Sequence, residues 1–241
     1  MRGASIRSIG PPARNATLDT MSFDPGSRSK LTYRDLPRFG DGTLFHRIAR
    51  QVCESECLPR KELFEAWEVA RRTRRRFRGG RVVDMACGHG LLAQILLVLD
   101  DSSASALAID ERLPNSAQRL NEGFARAWPR LVGRVELVQG QISGVALRPD
   151  DLLVSCHACG SLTDTVLSEA IAIGARVAVL PCCHQKLEND QGGLGGWLDP
   201  ALAIDVTRAA RLRSHGYRVH TQSIPPEITP KNRLLLAERN T

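Results

Sequence analysis

The chain has 241 residues, 42% of them hydrophobic, and a formal net charge of +7, which suits one α/β domain with a substantial core and an extension. No apolar run approaches the ~18 residues needed to cross a bilayer; the longest, residues 90–99, is broken by Gln94 and stopped by Asp100 and Asp101. Residues 1–80 hold 17 basic against 9 acidic residues and residues 81–241 hold 16 against 17, so the positive field belongs to the N-terminal third. The seven cysteines are odd in number and no secretory signal precedes them, which points to free thiols in a reducing, cytoplasmic setting.

Residues 1–42 are rich in Gly, Pro, Ser and Arg without periodicity and read as a flexible arm. The first twenty have a faint transit-peptide look, and Met21 offers an alternative start. Order is expected from Thr43, with helices over 44–57 and 61–77. Leu63, Phe64, Trp67 and Ala70 form an apolar stripe at helical spacing. Residues 43–79 thus make a basic helical cap that ends in six arginines within 71–78. Such a run attracts phosphate backbones, or else is the solvated face of a helix. Arg71, Arg72, Arg75 and Arg76 are the expected RNA contacts, because three- and four-residue spacing aligns them on one face.

Arg81 to Ala93 reads as an apolar strand, a glycine-rich turn and an apolar helix. Gly88 and Gly90 permit positive φ and close backbone approach, and the helix start presents unpaired N–H groups to an anionic or nucleotide-like ligand. Gly88-x-Gly90-x-x-Ala93 also fits a dinucleotide fingerprint. Asp84, four residues before Gly88 in an apolar strand, is costly to bury unless a cationic group pairs with it. A second strand, 106–111, ends in Asp110, placed to accept hydrogen bonds from ribose hydroxyls in either cofactor class.

An amphipathic helix over 115–131 and a strand over 134–142 come next. A strand over 152–157, a helix over 162–173 and a strand over 176–180 follow. Residues 189–196 read as a mobile glycine-rich loop. A helix over 200–215 leads to strands over 217–224 and 233–237 joined by a proline-rich turn. Alternating strands and helices imply a parallel sheet, with the helix-less last pair antiparallel.

The string Val-Asp-x-x-Cys-Gly-x-Gly at 83–90, with that sheet ending, resembles the first motif and topology of class I S-adenosylmethionine-dependent methyltransferases. The resemblance implies a Rossmann-like α/β domain over 80–241, mostly parallel with the last strand antiparallel. It implies S-adenosylmethionine held by Asp84, Cys87, Gly88, Gly90 and Asp110. Gln141 and Ile142, at the end of the third strand, stand where many such enzymes bind adenine.

His-Ala-Cys-Gly-Ser-Leu-Thr-Asp at 157–164 and Pro-Cys-Cys-His at 181–184 fall at the carboxyl ends of the fourth and fifth strands, the edge where open α/β sheets bind ligands. With the glycine turn, the two strings resemble the family of the tRNA acceptor-stem 2′-O-methyltransferases, the methyltransferase-like-25 proteins and the glutathione S-transferase C-terminal-domain-containing proteins. That resemblance implies an RNA acceptor, tRNA-like in kind, although the N-terminal Cys/His zinc modules of the tRNA enzymes are missing. Cys53 and Cys57 are too few for a structural zinc site and read as buried thiols one helical turn apart. His157 and His184 are candidate general bases beside the transferred methyl group. Asp164 is an orienting residue or, within Ser-Leu-Thr-Asp, a capping one. His157, Cys159, Cys183 and His184 have zinc-ligand chemistry, but the reading taken is that they pack without metal. A protein or small-molecule acceptor, a nicotinamide-dependent oxidoreductase and a non-catalytic RNA-binding protein are the rival functions.

Overall fold

The computed structural model describes residues 23–185 and 188–240. The expectations for residues 1–20 lie outside them. The elements are α1 (Leu44–Ser55), α2 (Arg60–Arg76), β1 (Val82–Met85), α3 (Leu91–Leu99), β2 (Ala106–Asp110), α4 (Asn115–Ala127), β3 (Val135–Gln139), β4 (Leu152–Ser155), α5 (Ser161–Ile173), β5 (Arg176–Val179), α6 (Pro200–Ser214), β6 (Tyr217–Ser223) and β7 (Arg233–Arg239). Among the described residues no helix is long and apolar enough to cross a membrane.

The seven strands form one sheet in the order β3-β2-β1-β4-β5-β7-β6. β1 to β5 are mutually parallel, and β7 runs antiparallel to both β5 and β6. This mostly parallel order with an antiparallel last strand is the one that the resemblance to class I methyltransferases implies. The central strands β1 and β4 are buried at every position, which is why they read as unbroken apolar runs. Edge strand β6 instead carries Arg218, Thr221 and Gln222, polar groups that blunt an unpaired edge.

Two apolar clusters lie on the two faces of the sheet. One joins Val82, Ala106 and Leu152 to residues of α1, α2, α3 and α4, and the other joins Val83, Ile109 and Leu153 to α5 and α6. Adjacent strand residues point to opposite faces, so Val82 and Val83 divide between them. After β1 the chain winds outward through β2 to β3, then crosses back to β4 on the other side. That reversal opens a crevice at the carboxyl ends of β1 and β4.

Three sequence expectations are corrected. Residues 23–42 are packed rather than an arm: Leu31 and Phe39 are fully or nearly buried, a bridge joins Lys30 to Pro59, and a 3-10 helix spans Tyr33–Phe39. The apolar groups there are spaced without helical or strand period, so periodicity could not find them. α4 ends at Ala127 because Pro129 starts a separate 3-10 turn, Pro129–Leu131, and proline has no N–H to continue the ladder. Asn189 is buried rather than part of a loose loop, since its side-chain amide donates to Asp164 at 2.8 Å.

Candidate functional site

β1 delivers Asp84 into the sheet's centre, beside Ala108 of β2 and Val154 of β4, and only 1% of it is exposed. It accepts one backbone hydrogen bond, from Ala93 in the first turn of α3, at 3.1 Å. Burial pushes its carboxyl up to about 7; the Ala93 N–H opposes the rise and the charge of Asp110 adds to it. Among the described residues this carboxylate has no cationic partner.

Between Asp84 and α3 the chain turns through three residues with positive φ: Ala86 at 56°, Gly88 at 55° and Gly90 at 72°. The two glycines serve different ends. A Cβ on Gly90 would come within 3.1 Å of Leu137 and 3.3 Å of Ala108, so this glycine lets the turn sit against β2 and β3. A Cβ on Gly88 would meet nothing within 4 Å, which leaves open space over a backbone that a ligand can approach. Ala86 holds the left-handed conformation without glycine's freedom, a strain of roughly 1 kcal/mol.

Asp110 closes on the same turn. Its carboxylate accepts from the Gly88 N–H and the Arg112 N–H, each at 2.9 Å. Cys87 ties the turn to β2 through its N–H to the Ile109 carbonyl at 3.0 Å, and burial pushes its thiol up, away from nucleophilic chemistry. Gln141 follows Gly140, whose N–H donates to the Asp110 carbonyl at 3.0 Å. Its side chain is exposed on a groove shared with Val138 and Gly140, while Ile142 is buried in the second apolar cluster. Neither reaches the recess at Asp84.

That recess is walled by Asp84, Cys87, His89, Cys156, His157 and Glu62. Its free volume of about 20 Å³ admits one small group and not a nucleoside. His89 is held there by Ser116, Nε2 to Oγ 2.9 Å. Glu62 and His157 also line a second cavity of about 330 Å³, together with Arg28, Lys61, Cys182, Cys183 and Lys231. His157 therefore stands between the glycine-turn recess and a larger space. Glu62 was not singled out from the sequence. Burial raises its carboxyl, with the neighbouring His157 opposing, and its position four residues before Ala66 on the buried side of α2 was the available signal.

The structure separates His184 and Asp164 from this pair. His184 Nε2 lies 2.8 Å from Asp205 Oδ1 on α6, with its side chain only 4% exposed. Burial would raise the Asp205 carboxyl, but bonds from His184 and Arg233 outweigh that and hold it low. Asp164 accepts two bonds of 2.8 Å from the buried Arg208 guanidinium. It is not a cap either: α5 starts one residue earlier than its apolar pattern suggests, with Gly160 as N-cap. Both residues brace α6 against the ends of β4 and β5, a long-range pairing invisible to local spacing.

Three cysteines converge instead. The Sγ atoms of Cys159, Cys182 and Cys183 all lie within 4.8 Å of one another. Cys159 is exposed and the other two are half-buried, so Cys159 and Cys183, expected to pack as small hydrophobes, stand instead beside Cys182 at the surface. Cys53 and Cys57, by contrast, are buried as expected.

The arginine run sits at the wrong end of its helix for this cavity. Glu62 and Arg76 are separated by fourteen residues of α2, about 21 Å at 1.5 Å per residue. Arg71 and Arg72 pair with Glu68, Arg76 with Glu238 and Arg78 with Asp100, while Arg74 is buried against Asp100 and Ser103. Arg75 is exposed and without an ion pair among the described residues. At the cavity the basic groups are Arg28, Lys61 and Lys231.

A family model described as a methyltransferase domain matches residues 62–190, more than half of the chain. A glutathione S-transferase C-terminal domain-containing protein of Mus musculus is 25% identical over 198 residues, covering 66% of this chain and 30% of its own length. The chain thus spans under a third of that relative. Among solved structures, a candidate rRNA methylase from Clostridium thermocellum aligns with a TM-score of 0.50 at 14% identity, over 71% of this chain and 93% of that one. An O-methyltransferase family protein from Burkholderia thailandensis aligns at 18% identity with a TM-score of 0.47, over 89% of this chain and 65% of that one.

Proposed function

The chain belongs to the methyltransferase-domain family, and from that premise we propose that it is an S-adenosylmethionine-dependent enzyme that methylates RNA. The observation that carries the cofactor assignment is the buried carboxylate of Asp84, without a cation among the described residues, below a glycine turn whose outer face is open at Gly88. The donor set fits the group: a carboxylate for the cationic amine end, open backbone at Gly88, and Asp110 at the turn's edge for vicinal hydroxyls. The bulk of the cofactor would lie over Gly88, because the recess at Asp84 is narrow. Gln141, one residue past the Asp110-bonded Gly140 and exposed on its own groove, is the adenine contact that the resemblance implies.

The cofactor supplies a methyl group on a sulfonium, transferred by in-line displacement. The chain's own part is alignment, which carries most of the rate in such a reaction, together with proton removal from a hydroxyl acceptor. His157 is the base proposed here, since it faces both the recess and the larger cavity. Glu62 lines the same two spaces and would act on His157 through its charge. Arg28 and Lys231 give the cavity a basic rim suited to a phosphate backbone, and this rim replaces the arginine run as the expected RNA contact.

The test is incubation with methyl-labelled cofactor and fractionated cell extract. Label in RNA, lost in Asp84→Asn, supports the proposal. Label confined to protein or small molecules overturns the choice of acceptor.

A further inference from the structure

The loops that leave β4 and β5 carry the three converging cysteines, and neither the cofactor nor the proton step uses them. The loops are fixed to each other by the Gly160 N–H to the Cys183 carbonyl at 3.0 Å, and their parent strands by the Leu180 N–H to the Ser155 carbonyl at 2.9 Å. Gly160 takes φ 58°, and the Gln185 side chain fills the place of its missing Cβ, so Cys159 is presented by a backbone turn that other residues resist. Cys182 and Cys183 are neighbours in an irregular segment, which frees both sulfurs to point to one side; in a strand they would alternate.

From this geometry we infer that Cys159, Cys182 and Cys183 form a zinc-binding site with three thiolate ligands and a fourth position open to the cavity beside His157. The sulfurs of a tetrahedral zinc thiolate site, with Zn–S near 2.3 Å, stand about 3.8 Å apart. Here Cys159 and Cys182 are 3.0 Å apart and all three sulfurs fall within 4.8 Å, so small side-chain rotations suffice. Soft thiolates select zinc over hard cations. Loading converts three thiols and one divalent ion into a site of charge −1 and releases three protons to solvent. That negative charge has its counter-ion: Lys231 Nζ lies 3.7 Å from Cys183 Sγ, and Arg28 lines the same cavity. Three protein ligands with an exchangeable fourth position is the pattern of a reactive zinc rather than a structural one. The site stands whether or not the chain uses S-adenosylmethionine.

The test uses the full chain, purified under reductant, with zinc content measured directly and cobalt titrated into the metal-free form. About one metal ion per chain is expected, with sulfur-to-cobalt charge-transfer absorption that disappears in Cys159→Ser and in Cys183→Ser and persists in Cys57→Ser. Cys159 is exposed, so its serine variant should fold, which far-ultraviolet circular dichroism checks. No stoichiometric binding, or binding that survives both substitutions, overturns the inference. So does a native chain whose mass is lower by two hydrogens and whose peptides link Cys159 to Cys182, because that identifies the cluster as a disulfide site.

Discussion

The Gly88 N–H donates to the Asp110 carboxylate at 2.9 Å, so the acid at the end of β2 braces the turn that leaves β1. The turn's shape is thus set by protein contacts, while the space outside Gly88 stays open. Gly88→Ala should cost about 1 kcal/mol of stability, from the positive φ alone, yet weaken S-adenosylmethionine at least tenfold by putting a methyl group in the cradle. Thermal unfolding and calorimetric titration check the two halves. An affinity equal to that of the unaltered protein would mean the cofactor lies elsewhere.

Asp84 links binding to pH. Its carboxyl is raised to about 7 by burial, so the folded ligand-free protein holds a proton there that the unfolded chain loses near pH 4. Stability from this group is fully present below the unfolded value and declines as pH rises to about 7. Asp84→Asn should therefore raise the melting temperature at pH 8 and change it little at pH 4. A cationic cofactor favours the ionised form, so affinity should climb about tenfold per unit as pH rises toward 7 and level off above it. Calorimetry in buffers of different ionisation heat would detect the proton released at pH 6. A flat affinity profile across this range would separate Asp84 from the cofactor.

The two histidines should behave oppositely. His157→Ala should cut turnover about a hundredfold with cofactor affinity kept, and Glu62→Gln should do so more mildly. His184→Ala removes a buried hydrogen bond to Asp205, which keeps its bonds from Arg208 and Arg233, so it should destabilise the fold by about 1–3 kcal/mol while specific activity of the folded fraction is retained. Single-turnover rates with denaturant titrations distinguish these outcomes.

The arginines divide by position. Arg74→Ala should cost roughly 1–3 kcal/mol, because it removes a buried guanidinium from Asp100 and Ser103 while Arg78, Ser102 and Gly79 still serve the Asp100 carboxylate. Arg75→Gln, at the far end of α2, should leave RNA affinity and its salt slope unchanged, whereas Arg28→Gln with Lys231→Gln should weaken binding and flatten the slope. Filter binding across a salt series reads both, and the reverse order would restore the arginine run as the RNA contact.

Local pattern carried the strands, the glycine turn and both strand-end acids, because burial on two faces and a strand-to-helix turn leave marks in consecutive residues. It also placed the His and Cys strings at the sheet edge where they stand. It could not tell that His184 turns to Asp205 on α6, that Asp164 pairs with Arg208, or that Cys182 joins Cys159, since each depends on how separate elements meet. Glu62 was hidden for the same reason: only the packing of α2 against the crevice brings it to His157. The arginine run misled because charge density along a sequence carries no information about the distant carboxylates, Asp100 and Glu238, that fold against it; Glu68, at helical spacing from Arg71 and Arg72, was the one partner local pattern could offer.

Side-by-side calorimetric titration of S-adenosylmethionine and NAD(P) into the native chain and Asp84→Asn tests the central claim most directly. The account predicts binding of S-adenosylmethionine alone, weakened by the substitution ~10–100-fold, the worth of a charge-assisted hydrogen bond to a buried carboxylate. Binding of NAD(P) without S-adenosylmethionine, or an S-adenosylmethionine affinity indifferent to Asp84, would contradict it.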